Sequence, residues 1–262
     1  AAAVIAYLAP YVTGDVTLTD LSADHALLRL GGPYAWELVG DLTTPDVIGL
    51  PYLGLFHHDD LICFRAGQTG EYGYDLLVPR PQTDAVRARL LELGRRYDLA
   101  EISLAALDVA GVENFFWNPR RQARPGLTPL ELQLQWRVSY GRACPGAAAL
   151  AARRAAPYRR ATLLAADAPL AIDAEVTVAG APVGTVLDAV ASPTRGDHLA
   201  IALLDPAVAQ AGLDGFAVGT VAARSISAPA VNNRSLYVDP QRHAYASRAG
   251  DTFPPLVRPR TA

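Results

Sequence analysis

The chain of 262 residues contains no methionine and only two cysteines. Average usage would supply about five or six methionines over this length. Either the composition is unusual, the sequence is part of a longer coding sequence, or selenomethionines have been left out of it. Cys63 and Cys144 lie far apart and fit neither a disulfide framework nor a zinc-ligand spacing. We therefore expect a reducing, cytoplasmic location.

Strong charge imbalance and long apolar runs are also missing. The net charge of −3 gives no electrostatic reason to expect nucleic acid or an anionic membrane as a partner. The apolar start, residues 1–12, is too short to span a bilayer, and we interpret residues 3–8 as the end of an amphipathic helix. Apolar residues make up 51% of the chain and charged residues 19%, a mixture that can fill a globular core.

Apolar periodicity divides the first part of the chain into alternating strands and helices. Strands are predicted over 16–20, 26–30, 61–64 and 76–78, and helices over 34–39, 84–97, 104–116 and from 145 to about 154. Residues 119–125 are predicted to form a basic, irregular loop. These elements indicate an α/β domain over residues 1–155.

The pattern changes near residues 153–158. Short apolar runs follow at intervals of about ten residues, a spacing typical of a small antiparallel β-barrel or sandwich. They cover 161–164, 175–178, 183–186, 199–204 and 217–221. We predict an α+β chain whose second domain, residues 156–262, is a β-barrel with a polar tail wrapped over the surface.

The most informative segment is the glycine-rich turn between the strands predicted at 61–64 and 76–78. Glycine adopts backbone angles that other residues resist, so Gly70 and Gly73 could let the turn approach a ligand closely. In a regular strand, Tyr74 and Asp75 point to opposite faces. Asp75 is then either a group that binds the amide-like edge of a heterocycle or a solvated carboxylate on a plain hairpin.

Other candidate residues have structural alternatives. The sequence His57-His58-Asp59-Asp60 resembles a metal cluster, but neighbours on a strand face opposite ways, so we predict a polar hairpin tip and no metal site. Trp136 is interpreted as core or pocket lining. Two basic patches could attract an anionic ligand tail or be solvated surface. They are Arg120, Arg121 and Arg124, and Arg153, Arg154, Arg159 and Arg160.

Five segments in order resemble motifs of the aminomethyltransferase family, which includes the T-protein of the glycine cleavage system. The family turn T-G-Y-T-G-E-x-G-[FY]-E corresponds to residues 66–75, and A-R-D-x-L-R-x-E to 106–113. T-P-x-E-x-x-L-x-W-x-V corresponds to 128–138, F-x-G-[RK]-x-A-L to 144–150, and G-x-x-[VI]-G-x-V-T-S-x-x-x-S-P to 180–193. The collinear match runs from about residue 14 to residue 228.

This resemblance implies a T-protein-like α/β body with a mixed sheet, followed by a C-terminal Greek-key β-barrel, around a tetrahydrofolate pocket. The implied activity is a one-carbon transferase or demethylase that acts on a small-molecule methyl or aminomethyl donor. By position, Asp75 would hold the pteridine and Gln68 would replace a pocket aromatic. The remaining cofactor-binding residues implied are Tyr74, Trp136 and Glu113; catalytic residues are not identified.

Several positions depart from the family pattern. Asp75 replaces a glutamate, so a bidentate contact requires the ligand to sit about one carbon–carbon bond deeper. Gln68 replaces a tyrosine, and Leu107 and Gly111 replace two arginines. Leucine and glycine cannot bind a carboxylate as arginine does. The family's N-D-x-G region, with its catalytic aspartate, has no counterpart in this sequence. Two alternatives follow: a diverged enzyme that acts on another small ring-containing substrate without folate, and a non-catalytic folate-binding module.

Overall fold

The computed structural model describes residues 2–257. Packing groups them into two compact units, residues 2–101 with 234–253, and residues 102–233 with 254–257. The domain boundary predicted at residue 155 stays a prediction. None of the helices within residues 2–257 combines the length and the hydropathy that a membrane span requires.

The first unit is built on a four-stranded sheet. Its helices are α1 (Ala2–Leu8), α2 (Ala35–Leu42) and α3 (Thr83–Gly94), and its strands are β1 (His25–Gly31), β2 (Leu55–His58), β3 (Leu61–Arg65) and β4 (Gly73–Pro79). Single 3-10 turns lie at Ala9–Tyr11, Pro45–Gly49, Arg80–Gln82, Arg95–Tyr97, Arg234–Leu236 and Tyr245–Gly250. The sheet order is β1-β4-β3-β2.

All three strand pairs of this sheet are antiparallel, where the resemblance implied a mixed sheet. Parallel neighbours need a long crossover connection. Here β2, β3 and β4 instead follow one another as antiparallel neighbours, and β1 runs antiparallel to β4.

The core of the first unit lies between the sheet and helices α2 and α3. Cys63, Leu76 and Val78 are fully buried on the sheet, and Val39 of α2 packs in the same cluster. Residues 234–253, which we call the returning segment, add Val238 to this core. The polar composition of the tail predicts that it only covers the surface, whereas this part of it also contributes to the core. Burial of alternate strand residues explains why the predictions for 26–30, 61–64 and 76–78 are confirmed.

One predicted strand of this unit is wrong. Residues 16–20 alternate as a strand would, yet they form no strand. Val16 is 61% exposed and Leu18 38% exposed, so neither side chain gains a buried face. Alternation of apolar and polar residues leads to a strand only where a neighbouring strand supplies hydrogen bonds and the apolar side chains can pack on a core.

The second unit consists of three helices and a closed barrel of six strands. The helices are α4 (Leu104–Glu113), α5 (Pro119–Gln122) and α6 (Ala147–Ala155), with a 3-10 turn at Gln135–Arg137. The strands are β5 (Arg160–Ala166), β6 (Glu175–Val178), β7 (Ala181–Ser192), β8 (Asp197–Leu204), β9 (Phe216–Val218) and β10 (Val221–Ile226). Helix α5 replaces the predicted loop, because Asn118 caps its first turn and Pro119 suits its first position.

The barrel closes in the order β10-β5-β8-β7-β6-β9. Strands β6, β7 and β8 are consecutive neighbours and β5 returns beside β8, which is the Greek-key arrangement. Leu164, Val176 and Val186 are fully buried in its interior. A shift in register between Val186 and Asp188 interrupts β7, and Asp188 is fully buried after it. The predicted α+β fold with a C-terminal Greek-key barrel is confirmed.

Candidate functional site

The glycine-rich turn before β4 is shaped by close backbone packing. Gly70 has a φ of +73°, in the left-handed region that favours glycine. A Cβ atom on Gly73 would lie 2.3 Å from the carbonyl oxygen of Ala66 and 2.6 Å from Cα of Gly67. The two ends of the turn therefore touch through their backbones, and this contact fixes where β4 begins.

The glutamate in this turn holds the returning segment of the first unit. The Glu71 carboxylate accepts hydrogen bonds from the backbone N–H of Arg234 at 2.9 Å and of Ser235 at 2.8 Å. The Tyr72 hydroxyl donates to the carbonyl of Val238 at 3.1 Å. Glu71 thus satisfies the free N–H groups at the start of a 3-10 turn, a structural role within the motif.

Asp75 is paired with an arginine from the neighbouring strand. Arg29 lies directly opposite Asp75 in the β1–β4 register. Its Nε and Nη2 donate to the two carboxylate oxygens at 2.6 and 2.8 Å. The Asp75 side chain is 14% exposed, so the alternative of a solvated carboxylate is wrong. The hydrogen bond to Asp75 is the main cause of the raised pKa of Arg29.

Asp75 lies on the sheet face that points away from α2 and α3, which we call the Asp75 face. Its members are Leu27, Arg29, Leu55, His57, Ile62, Phe64, Asp75 and Leu77. Phe64 is the β3 neighbour of Asp75, and Leu77 lies two residues further along β4. Among the strand residues that the structure describes, Asp75 is the only acidic side chain on this face. The face is therefore largely apolar, with His57 as a polar member and with one carboxylate that is paired with Arg29.

Strand alternation places Arg29 and Asp75 each on a definite face of its own strand, but it does not pair the two strands. The pairing depends on β1 lying beside β4, which local pattern does not specify. Arg29 and Phe64 are the neighbours of Asp75 that sequence reasoning missed.

The other predicted ligand residues of the first unit lie elsewhere. Tyr74 is 1% exposed in the core, on the opposite face from Asp75 as predicted. Burial raises the pKa of Tyr74 to about 12, so its phenol stays neutral. Gln68 lies in the turn, partly exposed. Ligand contacts by Tyr74 and Gln68 stay predictions.

In the second unit, Glu113 ends α4 and is 6% exposed. The Ser192 hydroxyl, at the end of β7, donates to its Oε1 at 2.5 Å. Trp136 is 69% exposed and the Arg137 guanidinium lies 4.7 Å from its ring centre. The interpretation of Trp136 as a core residue is wrong; cofactor contacts by Trp136 and Glu113 stay predictions.

The first basic patch carries its own counter-charges. Arg120 pairs with Asp108 at 2.7 Å, Arg121 with Asp188 at 2.5 Å, and Arg124 with Asp173 at 2.8 Å. These carboxylates leave little uncompensated positive charge, which disfavours this patch as an anion site. The Asp188 pair is the most buried of the three, with the carboxylate fully excluded from solvent.

The T-P-x-E motif at 128–131 is a local hydrogen-bonded box. Glu131 accepts from the backbone N–H of Thr128 at 2.9 Å, and the Thr128 hydroxyl accepts from the N–H of Leu130 at 3.2 Å. Arg153 donates to Glu131 at 2.5 Å. Burial alone would raise the pKa of Glu131, but hydrogen bonds from Thr128 and Arg153 outweigh it and leave the pKa below its ordinary value.

We expect Glu131→Gln to lower the free energy of unfolding by about 1 kcal/mol at neutral pH, the usual contribution of such hydrogen bonds. Because the folded-state pKa is depressed, this stability is present above the ordinary glutamate pKa of about 4.3 and is lost as pH falls through the lower value. Urea unfolding of both proteins between neutral and acidic pH measures the difference. A difference that grows towards acidic pH would contradict the prediction.

The His57-Asp60 segment is the predicted polar hairpin tip. His58 pairs with Leu61 across the β2–β3 hairpin, which leaves Asp59 and Asp60 as the turn. Within residues 2–257, no group of three or more histidine, cysteine, aspartate or glutamate side chains is arranged to hold a metal ion.

Comparison with known proteins identifies the family. Residues 1–142 match the family described as the GCVT N-terminal domain. An aminomethyltransferase of Frankia alni is 32% identical over 216 residues, covering 80% of this chain and 59% of that protein. One of Listeria monocytogenes is 27% identical over 212 residues, covering 77% and 57% respectively. The chain thus spans somewhat more than half the length of these relatives.

A solved structure shares the fold. The crystal structure of the glycine cleavage system aminomethyltransferase T from Bartonella henselae matches with a TM-score of 0.67 at 24% identity, over 82% of this chain and 60% of that one. This likeness confirms the predicted T-protein-like fold. Because the family match covers 142 of 262 residues, the chain belongs to the aminomethyltransferase family.

Proposed function

We propose that this chain binds tetrahydrofolate on the Asp75 face and takes part in transferring a methyl or aminomethyl group from a small-molecule donor, or in demethylating such a donor. The observation that supports the proposal is a single, partly buried carboxylate on a largely apolar sheet face. The relatives named aminomethyltransferase support the same class of reaction.

The residues of this face suit a reduced pteridine ring. The pyrimidine half of such a ring is flat, with one edge of neighbouring N–H donors, and a carboxylate can accept two parallel N–H bonds. Asp75 would accept that edge while Phe64 and Leu77 cover the apolar ring surface. Arg29 argues against this binding mode, because two of its N–H groups already donate to the two carboxylate oxygens of Asp75.

When bound, tetrahydrofolate would supply the N5 nitrogen that accepts the one-carbon group. The contribution of Asp75 would be to fix the ring relative to the donor, since orienting two reactants can lower a barrier by several kcal/mol. A positioned carboxylate could also assist proton movement. Tyr74, with its neutral phenol buried behind the sheet, would keep β4 in place.

The Arg29 pair favours a second candidate function, a diverged enzyme that acts on another small ring-containing substrate without folate. A carboxylate already satisfied by arginine gains less from a new pair of N–H donors. Leu107 and Gly111, at the positions of two family arginines, are consistent with this alternative. A non-catalytic folate-binding module is the third candidate.

Calorimetric titration of the purified chain with tetrahydrofolate separates these functions. We expect saturable binding in the micromolar range. The inactive analogue for comparison is a pteridine that lacks the 2-amino group, which we expect to bind more weakly.

The absence of binding at high micromolar tetrahydrofolate would overturn the proposal and favour the folate-independent enzyme. Where binding occurs, mass spectrometry for methyl- or methylene-tetrahydrofolate after incubation with candidate amine, sulfonium and aryl ether donors tests the transfer. Binding without any product from these donors would favour the non-catalytic module.

A further inference from the structure

A cavity of about 370 Å³ lies in the second unit, between α6 and the segment before it. Ala147, Leu150, Ala151 and Arg154 line one wall, at the spacing of a single helix face. Val138 and Tyr140, from the segment before α6, also line it. Cavities of this size that are mostly apolar, with few polar groups, are typical of small-molecule sites.

Arg154, the cationic residue of the cavity lining, differs from nearby arginines in having no carboxylate partner among the described residues. Arg153 is paired with Glu131 at 2.5 Å and Arg159 with Asp205 at 2.7 Å. Arg154 instead lies over the ring of Tyr140, 4.9 Å from its centre. Among the residues that the structure describes, no carboxylate lies within ion-pair distance of Arg154, and the cavity lining contains no acidic residue.

Contact with the Tyr140 ring restricts the Arg154 guanidinium without using its N–H groups in an ion pair. A guanidinium stacked on an aromatic ring can still donate bidentate hydrogen bonds in its own plane, which matches the geometry of a carboxylate. Loss of side-chain freedom on binding is reduced because the ring already restricts Arg154. An uncompensated, oriented cation beside an apolar cavity is complementary to an anion with an apolar body.

We propose that this cavity, the α6 cavity, is a binding site for a small monocarboxylate with an aromatic or other apolar body. The carboxylate pairs with Arg154, and the apolar body lies among Val138, Tyr140 and Leu150. The proposal is independent of folate binding on the Asp75 face.

The test uses 1-naphthoate as the probe and its neutral amide, 1-naphthamide, as the matched ligand. Calorimetric titration of the full chain is expected to give saturable 1-naphthoate binding, at least ten-fold tighter than the amide, because a hydrogen-bonded charge pair is lost in the amide. Arg154→Gln is expected to weaken 1-naphthoate at least ten-fold and to leave the amide unchanged. Arg159→Gln, an exposed arginine outside the cavity lining, is the control and should bind like the parent.

A second variant tests the cavity itself. Ala151 lines the cavity and is exposed to solvent, so Ala151→Phe is expected to fill the cavity and abolish binding of both ligands without loss of the thermal transition. Equal binding of 1-naphthoate and its amide, equal binding by Arg154→Gln, or retained binding by a folded Ala151→Phe protein would each overturn the proposal, as would no 1-naphthoate binding at millimolar ligand.

Discussion

Arg121→Ala is expected to lower the free energy of unfolding by about 3 kcal/mol, the lower end of the range for a broken buried ion pair. Asp188 is fully buried, and Arg121 contacts both of its oxygens, at 2.5 to 3.0 Å. Within residues 2–257, removing the guanidinium leaves Gln122, at 3.1 Å, as the one side-chain donor to that carboxylate. Because the Arg121 side chain is 29% exposed, water can enter the space it leaves and hydrate Asp188. This hydration limits the loss in the free energy of unfolding.

Arg120→Ala is the matched control for this prediction. Arg120 is 56% exposed, and its partner Asp108 keeps a hydrogen bond from Asn118 at 2.8 Å, so we expect a loss below about 1 kcal/mol. Urea unfolding followed by circular dichroism measures both variants. Adding Asp188→Asn to Arg121→Ala should restore part of the stability, because it removes the unpaired charge. Equal effects of the two alanine variants would show that burial of Asp188 has little energetic consequence.

The spacing of apolar residues is sufficient to predict helices and strands that bury one face. Helix α2 and strand β4 were predicted because their apolar residues recur at helical and strand spacing. The barrel strands were predicted for the same reason, although the choice between barrel and sandwich depended on which strands pair. Residues 16–20 show the limit of this reasoning, since they alternate without a partner strand.

The candidate site required contacts between residues far apart in the chain. The family resemblance implies a ligand contact for Asp75, but its partner Arg29 is identified only through the β1–β4 register. Asp188 lies 67 residues after its partner Arg121 in the chain. It is buried, and it directly follows the interruption in β7. Apolar periodicity shows neither which strands pair nor where an irregularity interrupts a strand.

Asp75→Ala is expected to weaken tetrahydrofolate binding ten-fold or more, because a hydrogen bond to a charged group contributes about 1.5 to 3 kcal/mol. Asp75→Asn keeps the shape and one acceptor oxygen but loses the charge, so it should bind with intermediate affinity. Titration calorimetry measures each variant, with thermal unfolding as the check that the sheet is intact. Unchanged affinity in Asp75→Ala would mean that Asp75, like Glu71, has a structural role in the motif.

Arg29 makes this prediction sharper, because its Nε and Nη2 donate to Asp75 as the N–H edge of a pteridine would. A ligand that binds Asp75 must displace these two bonds or share the carboxylate with them. We therefore expect Arg29→Ala to bind tetrahydrofolate several-fold more tightly than the parent. The gain requires the carboxylate, so the variant carrying both Arg29→Ala and Asp75→Ala should bind no better than Asp75→Ala alone. Weaker binding by Arg29→Ala would instead identify Arg29 as a group that positions Asp75 for the ligand.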